Sequence, residues 1–222
     1  MKQLTPSLIL YLAFQAIIVS GHSWVDNVQR TDPQGQLVGE IGYIRNYTAR
    51  VANQDVDEQN THQLLNKSPE QIFCSAFQVS QFQANGLPGL KVSPGSQIVA
   101  QYLENGHISA PLSPASVVGD IYWFGTEDVS ATGEDATTFG EVQSWKGGAG
   151  RGRLLGVNSF DDGKCGRGDL GLPCRSTFQI PTKAVVGSVY TVYWLWNYSG
   201  KLGNNTKHIE YYTSCMDVDI IG

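Results

Sequence analysis

Between Val189 and Trp196 the chain reads VYTVYWLW, a β-branched and aromatic run without glycine, proline or charge. In an extended chain successive side chains alternate between faces, so Tyr190, Val192, Trp194 and Trp196 would share one face, and that face has to be covered. Gln97–Leu103 (QIVAQYL), Asp120–Gly125 (DIYWFG), Arg153–Val157 (RLLGV) and Met216–Ile221 (MDVDII) read as further strands. In the last of these, alternation directs Met216, Val218 and Ile220 inward and Asp217 and Asp219 toward water. No segment carries the period of a helix of several turns. Short strands separated by long glycine- and proline-containing loops predict an all-β, antiparallel, immunoglobulin- or fibronectin-like β-sandwich with long loops. The polar, acidic stretch Val51–Pro69 is expected to be a surface loop with one helical turn.

Residues 1–21 do not belong to this pattern. Lys2 is followed by an apolar run from Leu8 to Val19 and the small pair Ser20 and Gly21, the layout of a secretory signal. The run is short for a membrane span of roughly 20 residues and is broken by Gln15. Cleavage after Gly21 would leave residues 22–222 as one domain with His22 first; cleavage after Ser20 would put Gly21 in front of it. A secreted, extracellular protein is expected.

The full chain has a formal charge of −5, and losing Lys2 makes the remainder more acidic. With no basic run, nucleic acid and anionic membranes are excluded as partners. Four cysteines in a secreted chain suggest two disulfides, for which three pairings exist. Cys165 and Cys174 flank the glycine-rich stretch GRGDLGLP, and a bridge there leaves Cys74 to pair with Cys215. Glycosylation sequons occur at Asn46, Asn197 and Asn204. Asp161 and Asp162 read as turn-formers before Gly163 rather than a glycosidase pair. The run Gly147–Gly152 resembles a phosphate loop in composition only, since it lacks the lysine and the strand-to-helix setting.

The histidines are His22, His62, His107 and His208. A terminal histidine can close on one metal ion through its imidazole and its free amine, whose pKa is about 8, which an internal histidine cannot do. His107 sits in ENGH, just past a predicted strand, where it is either a ligand on a rigid support or a solvated loop residue. In HIEYYTSCMDVDI, an extended chain puts His208, Glu210 and Tyr212 on one face. They would form either a metal surround or a core tyrosine beside a solvated carboxylate.

On these residues the chain resembles the lytic polysaccharide monooxygenases, in which an N-terminal histidine and a second histidine form a copper "histidine brace" with an axial tyrosine or phenylalanine. The resemblance implies His22 and His107 as metal ligands, Tyr212 on the axis, and one copper ion per chain. It also implies catalytic roles for Glu210 and Tyr212, with His208 in their surround. The spacing from Glu210 to Tyr212 to Cys215 matches the cellulose-active members, although glutamate stands where they have glutamine. The mature start HSWVDNV also departs from them. A closer resemblance is to fungal secreted His-first proteins with an uncharacterised domain, carried by ENGH, SFDDGKC, YWLW and YTSCMDVDI.

The implied activity is oxidative cleavage of glycosidic bonds, with an external electron donor and O2 or H2O2, by a monomer. Glu210 would serve as a hydrogen-bond donor only if its pKa were raised by a low-dielectric setting. Tyr43, Tyr47 and Tyr211 are the candidate substrate-binding rings, with Trp24 as either a surface or a core residue. Polysaccharide binding is expected on the domain's own surface, with no appended module. Two other classes compete: a non-catalytic copper-binding protein for copper acquisition or a cell-surface role, and a structural sandwich in which His22 has no function. Tyr212 favours catalysis over the first.

Overall fold

The computed structural model describes residues 22–52, 54–65, 68–103, 119–128, 134–162, 165, 172–198 and 210–222. Within them ten strands form two sheets. The smaller has the order β2 (Leu37–Gly42), β1 (Val25–Thr31), β5 (Gln97–Tyr102), β8 (Cys174–Gln179). The larger has the order β3 (His62–Leu64), β10 (Tyr211–Ile220), β9 (Val189–Asn197), β6 (Asp120–Thr126), β7 (Arg153–Ser159). The strand β4 (Leu90–Val92) joins the same edge of β10 as β3 does, but runs parallel to it. The expected antiparallel sandwich is therefore present, with one parallel pairing added.

The two sheets close over the inner face of β9. Tyr190, Val192, Trp194 and Trp196 are buried there, as their alternation requires, with Val28, Ile98, Tyr102 and Phe178 from the smaller sheet and Trp24 just ahead of it in the same core. The outer face of β9 is buried as well, because Tyr193 and Leu195 lie beneath α2 (Phe139–Ser144) and the 3-10 turn Trp145–Gly147. Thr138 caps α2, its hydroxyl accepting the backbone N–H of Glu141, one of the donors that a helix start leaves without an intrahelical partner. Phe139, Val142 and Trp145 then form the second layer. Covering both faces lets a strand be apolar throughout, and β9 reads that way.

The last strand departs most from expectation. It begins at Tyr211 rather than Met216 and pairs with β9 without interruption from Tyr211–Asn197 to Asp219–Val189. Met216, Val218 and Ile220 do point into the core. Asp217, expected in water, is only 8% exposed because the outer face of β10 is covered too. There its two carboxylate oxygens accept from Arg45 Nε at 2.8 Å and Nη2 at 2.7 Å. Arg45 also donates to Asp135, Thr191 and the Gln78 carbonyl.

The stretch Val51–Pro69 supplies the expected single helical turn, α1 (Asp57–Asn60), together with β3, which alternation did not reveal. Val56, Asn60 and Leu64 in it are buried. The disulfides are Cys165–Cys174 and Cys74–Cys215, as spacing suggested. The second closes a separation of 141 residues, a closure that stabilises by about 5 kcal/mol in the chain-entropy account.

Candidate functional site

At the start of β10 a carboxylate and a phenol are packed against each other inside the protein. Glu210 is 5% exposed and Tyr212 fully buried. The Tyr212 ring lies on Trp196, with centroids 5.0 Å apart, and Trp196 stacks in turn on Phe160 at 3.8 Å. The Tyr212 hydroxyl donates to Glu210 Oε1.

Gln63 completes the group. It pairs with Tyr212 in the β3–β10 ladder, and its Nε2 donates to Glu210 Oε1 at 2.8 Å and to the Tyr212 hydroxyl at 2.9 Å. A side-chain amide has two N–H donors, and both are used. Sequence reasoning missed Gln63 because it comes from a three-residue strand inside a polar stretch. The pair Leu64 and Leu65 was the sole apolar hint of that strand.

Burial is the main reason that Tyr212 ionises far above the ordinary tyrosine value; its hydrogen bond to Glu210 and the Glu210 charge add to this, while Gln63 opposes it. Tyr198 is pushed up to about 12, again by burial first and Glu210 second. Both phenols are therefore protonated throughout the neutral range. Glu210 Oε1 accepts both of these hydrogen bonds, from Gln63 and from Tyr212.

The N-terminal segment reaches the same end of the sandwich. The Ser23 hydroxyl donates to the Leu103 carbonyl at 2.8 Å, at the end of β5, and the Val25 N–H donates to the Ser214 hydroxyl at 3.2 Å, two residues beyond Tyr212. His22 is half-buried, and its Nδ1 lies 3.0 Å from Asp57 Oδ2 on α1. The chain continuing from Leu103 leads to His107. His107 and His208 lie outside the described residues, as do residues 1–21 and Asn204. Gly119 opens β6 at this same end with φ +84, and a Cβ there would collide with the Asn197 carbonyl, so the close approach and the left-handed backbone both demand glycine.

The candidate surface rings are mostly not at the surface. Tyr47 is 6% exposed, stacked on Tyr43 at 5.3 Å with its hydroxyl donating to Asp26. Tyr211 is 7% exposed because it points to the outer face of β10, where Phe139 of α2 covers it. Trp24 is fully buried, with the Arg50 guanidinium 3.9 Å above its ring. Tyr43 alone of the three candidates is half-buried.

Asn46 is half-buried with φ 50, and Asn197 is half-buried at the end of β9. Asp161, Asp162 and Cys165 lie close enough to suggest a metal cluster, but Cys165 is in a disulfide and offers no thiolate. Asp162 instead accepts the Cys165 N–H, the turn-forming role expected of it.

These features define a disulfide-bonded β-sandwich with a buried phenol–carboxylate pair at the end where its N-terminal segment lies. The chain belongs to the family described as a domain of unknown function, DUF7492, matched over residues 19–171 and 166–222. No curated protein matches the sequence.

Among solved structures, the chain is similar to CvAA9A, at 15% identity and a TM-score of 0.49, covering 90% of this chain and 79% of that one. It is similar also to a cellulose-active polysaccharide monooxygenase from M. thermophila, at 15% identity, TM-score 0.47 and coverage of 90% and 78%. A third is the glycoside hydrolase family 61 member Cel61B from Hypocrea jecorina, at 16% identity, TM-score 0.44 and coverage of 90% and 82%. Among the described residues, no helix is long and apolar enough to cross a membrane.

Proposed function

We propose that the chain is a secreted copper-dependent polysaccharide monooxygenase, cleaved after Gly21 so that His22 and His107 would hold one copper ion, with Tyr212 as the tyrosine of that site. The observation that carries the reading is the buried group of Tyr212, Glu210 and Gln63, at the end of the sandwich where Ser23 is bonded to the strand leading to His107. The donor set fits the metal: an amine and two imidazoles suit copper, which first-row sites bind most tightly as Cu(II). A copper ion held there would supply one-electron chemistry on O2 or H2O2, fed by an external electron donor.

The protein's own part is to hold the Tyr212 phenol in place, buried and hydrogen-bonded to Glu210. Trp196 fixes the ring from one side, and Gln63 fixes its oxygen. Polysaccharide would bind across the domain surface, with Tyr43 the remaining aromatic candidate.

N-terminal sequencing and intact mass of secreted protein test the first step, and a start elsewhere than His22 ends the proposal. Copper titration of the wild type and of His22→Ala follows, with loss of tight binding expected in the variant. Release of oxidised oligosaccharides from cellulose, chitin, xylan or pectin in the presence of ascorbate then tests the reaction. A copper-binding protein without turnover is the second reading, favoured by the carboxylate of Asp57 beside His22. Tight copper binding with no oxidised product from any of the four polymers would select it.

A further inference from the structure

We infer that Asp57 is a further ligand of the metal site, its Oδ2 binding the oxidised copper ion beside His22. The inference rests on the copper reading above. A chelate ring made by a terminal histidine with its own amine must use Nδ1, because Nε2 points away from the backbone. In the structure that nitrogen is the one facing Asp57, with Nδ1 and Oδ2 3.0 Å apart. Nδ1 cannot both donate a proton to Asp57 and hold an ion. When an ion replaces the proton, the carboxylate oxygen has that ion as its nearest cation.

The spacing suits this exchange. Nitrogen and oxygen donors bind first-row divalent ions at about 2.0–2.2 Å, so two donors at right angles in a tetragonal Cu(II) site are about 3 Å apart.

Asp57 is also held in place. Its backbone N–H is bonded to Asp55 Oδ1 at 2.9 Å, and its carbonyl accepts from the Thr61 N–H at 2.8 Å. Two residues anchor this turn to the body of the protein. Val56 is buried, and Asn60 is fully buried and bonded in both directions to the Thr48 backbone. A carboxylate on an anchored turn keeps its position when its partner changes, which is what a ligand requires. As a hard, anionic donor it favours Cu(II) over Cu(I).

The test uses mature protein starting at His22, with Asp57→Asn and, as a control for charge alone, the exposed neighbour Glu58→Gln. Cu(II) affinity is measured by competition titration, coordination by frozen-solution electron paramagnetic resonance, and folding by thermal melting of the metal-free proteins. Asp57→Asn should weaken Cu(II) binding by on the order of tenfold or more and alter the resonance spectrum, with melting unchanged and Glu58→Gln like the wild type. An Asp57→Asn protein with wild-type affinity and spectrum overturns the inference and leaves the copper reading standing. So does equal weakening in both variants with an unchanged spectrum, which would be a general charge effect. A wild type that begins at His22 and binds no copper overturns the copper reading itself, and the role of Asp57 with it.

Discussion

Strand β10 carries two polar clusters, and they are built on opposite plans. At its far end Arg45 spends all five guanidinium donors, on Asp217 twice, Asp135, Thr191 and the Gln78 carbonyl. The Tyr193 hydroxyl donates to the same Asp135 oxygen as Arg45, and the Thr137 N–H to the other. Arg45 is fully buried, and of the groups it holds Asp217 is the most open, at 8% exposed. At the near end, Tyr212 and Glu210 are also buried, but the adjoining His22–Asp57 pair has side chains 28% and 39% exposed. A closed cluster stabilises the fold and has no capacity left for a ligand. An open pair contributes little to stability and leaves donors that an ion can take.

This contrast predicts a gradient of effects on stability. Arg45→Met should cost about 3–5 kcal/mol in urea unfolding, because it strands two buried carboxylates without their cation. A loss below about 1 kcal/mol would mean that the cluster is not closed.

The same cluster should make the protein acid-sensitive. Burial alone would raise the Asp135 pKa, but hydrogen bonds from Thr137 and Tyr193 and the charge of Arg45 outweigh it and hold the group below the usual value. A carboxylate depressed in this way contributes stability that is present above its unfolded value of about 3.9 and is lost as pH falls through the folded value. Melting temperature should therefore drop below about pH 4, with a shallower drop in Arg45→Met.

At the near end, Tyr212→Phe removes the donor to Glu210 and the acceptor for Gln63, and should cost about 1–3 kcal/mol. Gln63→Leu should give a similar loss, which checks that β3 belongs to this cluster. Asp57→Asn should change stability of the metal-free protein by less than about 1 kcal/mol, since exposed pairs contribute no more than that. A larger loss would make the His22–Asp57 pair structural and erase the distinction between the two ends.

The inner face of β9, both disulfides and the one-turn helix in the Val51–Pro69 stretch were all legible in the chain. Each depends on local spacing, whether alternation, proximity of cysteines or composition. Gln63, the burial of Asp217 and the five-residue extension of β10 were not. The burial of Asp217 depends on what lies over the outer face of the larger sheet, a cover that comes from Arg45, α2 and the segment around Phe73, while Gln63 and the start of β10 depend on the long-range β3–β10 and β9–β10 pairings. Alternation reports which residues share a face, but not whether the second face is covered. Tyr211 misled for the same reason, and Tyr47 is buried in the main core, since an aromatic ring suits a sugar-binding surface and a core equally well.

The sequence by itself determined that the chain forms a sandwich and that its cysteines tie β10 to a distant segment, and by resemblance it offered His22, His107 and Tyr212 as candidates for a copper site. Those are properties of residue order and chemical type. The tertiary structure alone decided which donors meet. It set Gln63 against Glu210 and Tyr212, and Asp57 against His22, because β3 and α1 fold against β10 and the N-terminal segment through contacts that no local pattern encodes. Hydrogen bonds act over about 3 Å, and residues 35 positions apart, as His22 and Asp57 are, or 147, as Gln63 and Glu210 are, reach that distance only in the folded chain.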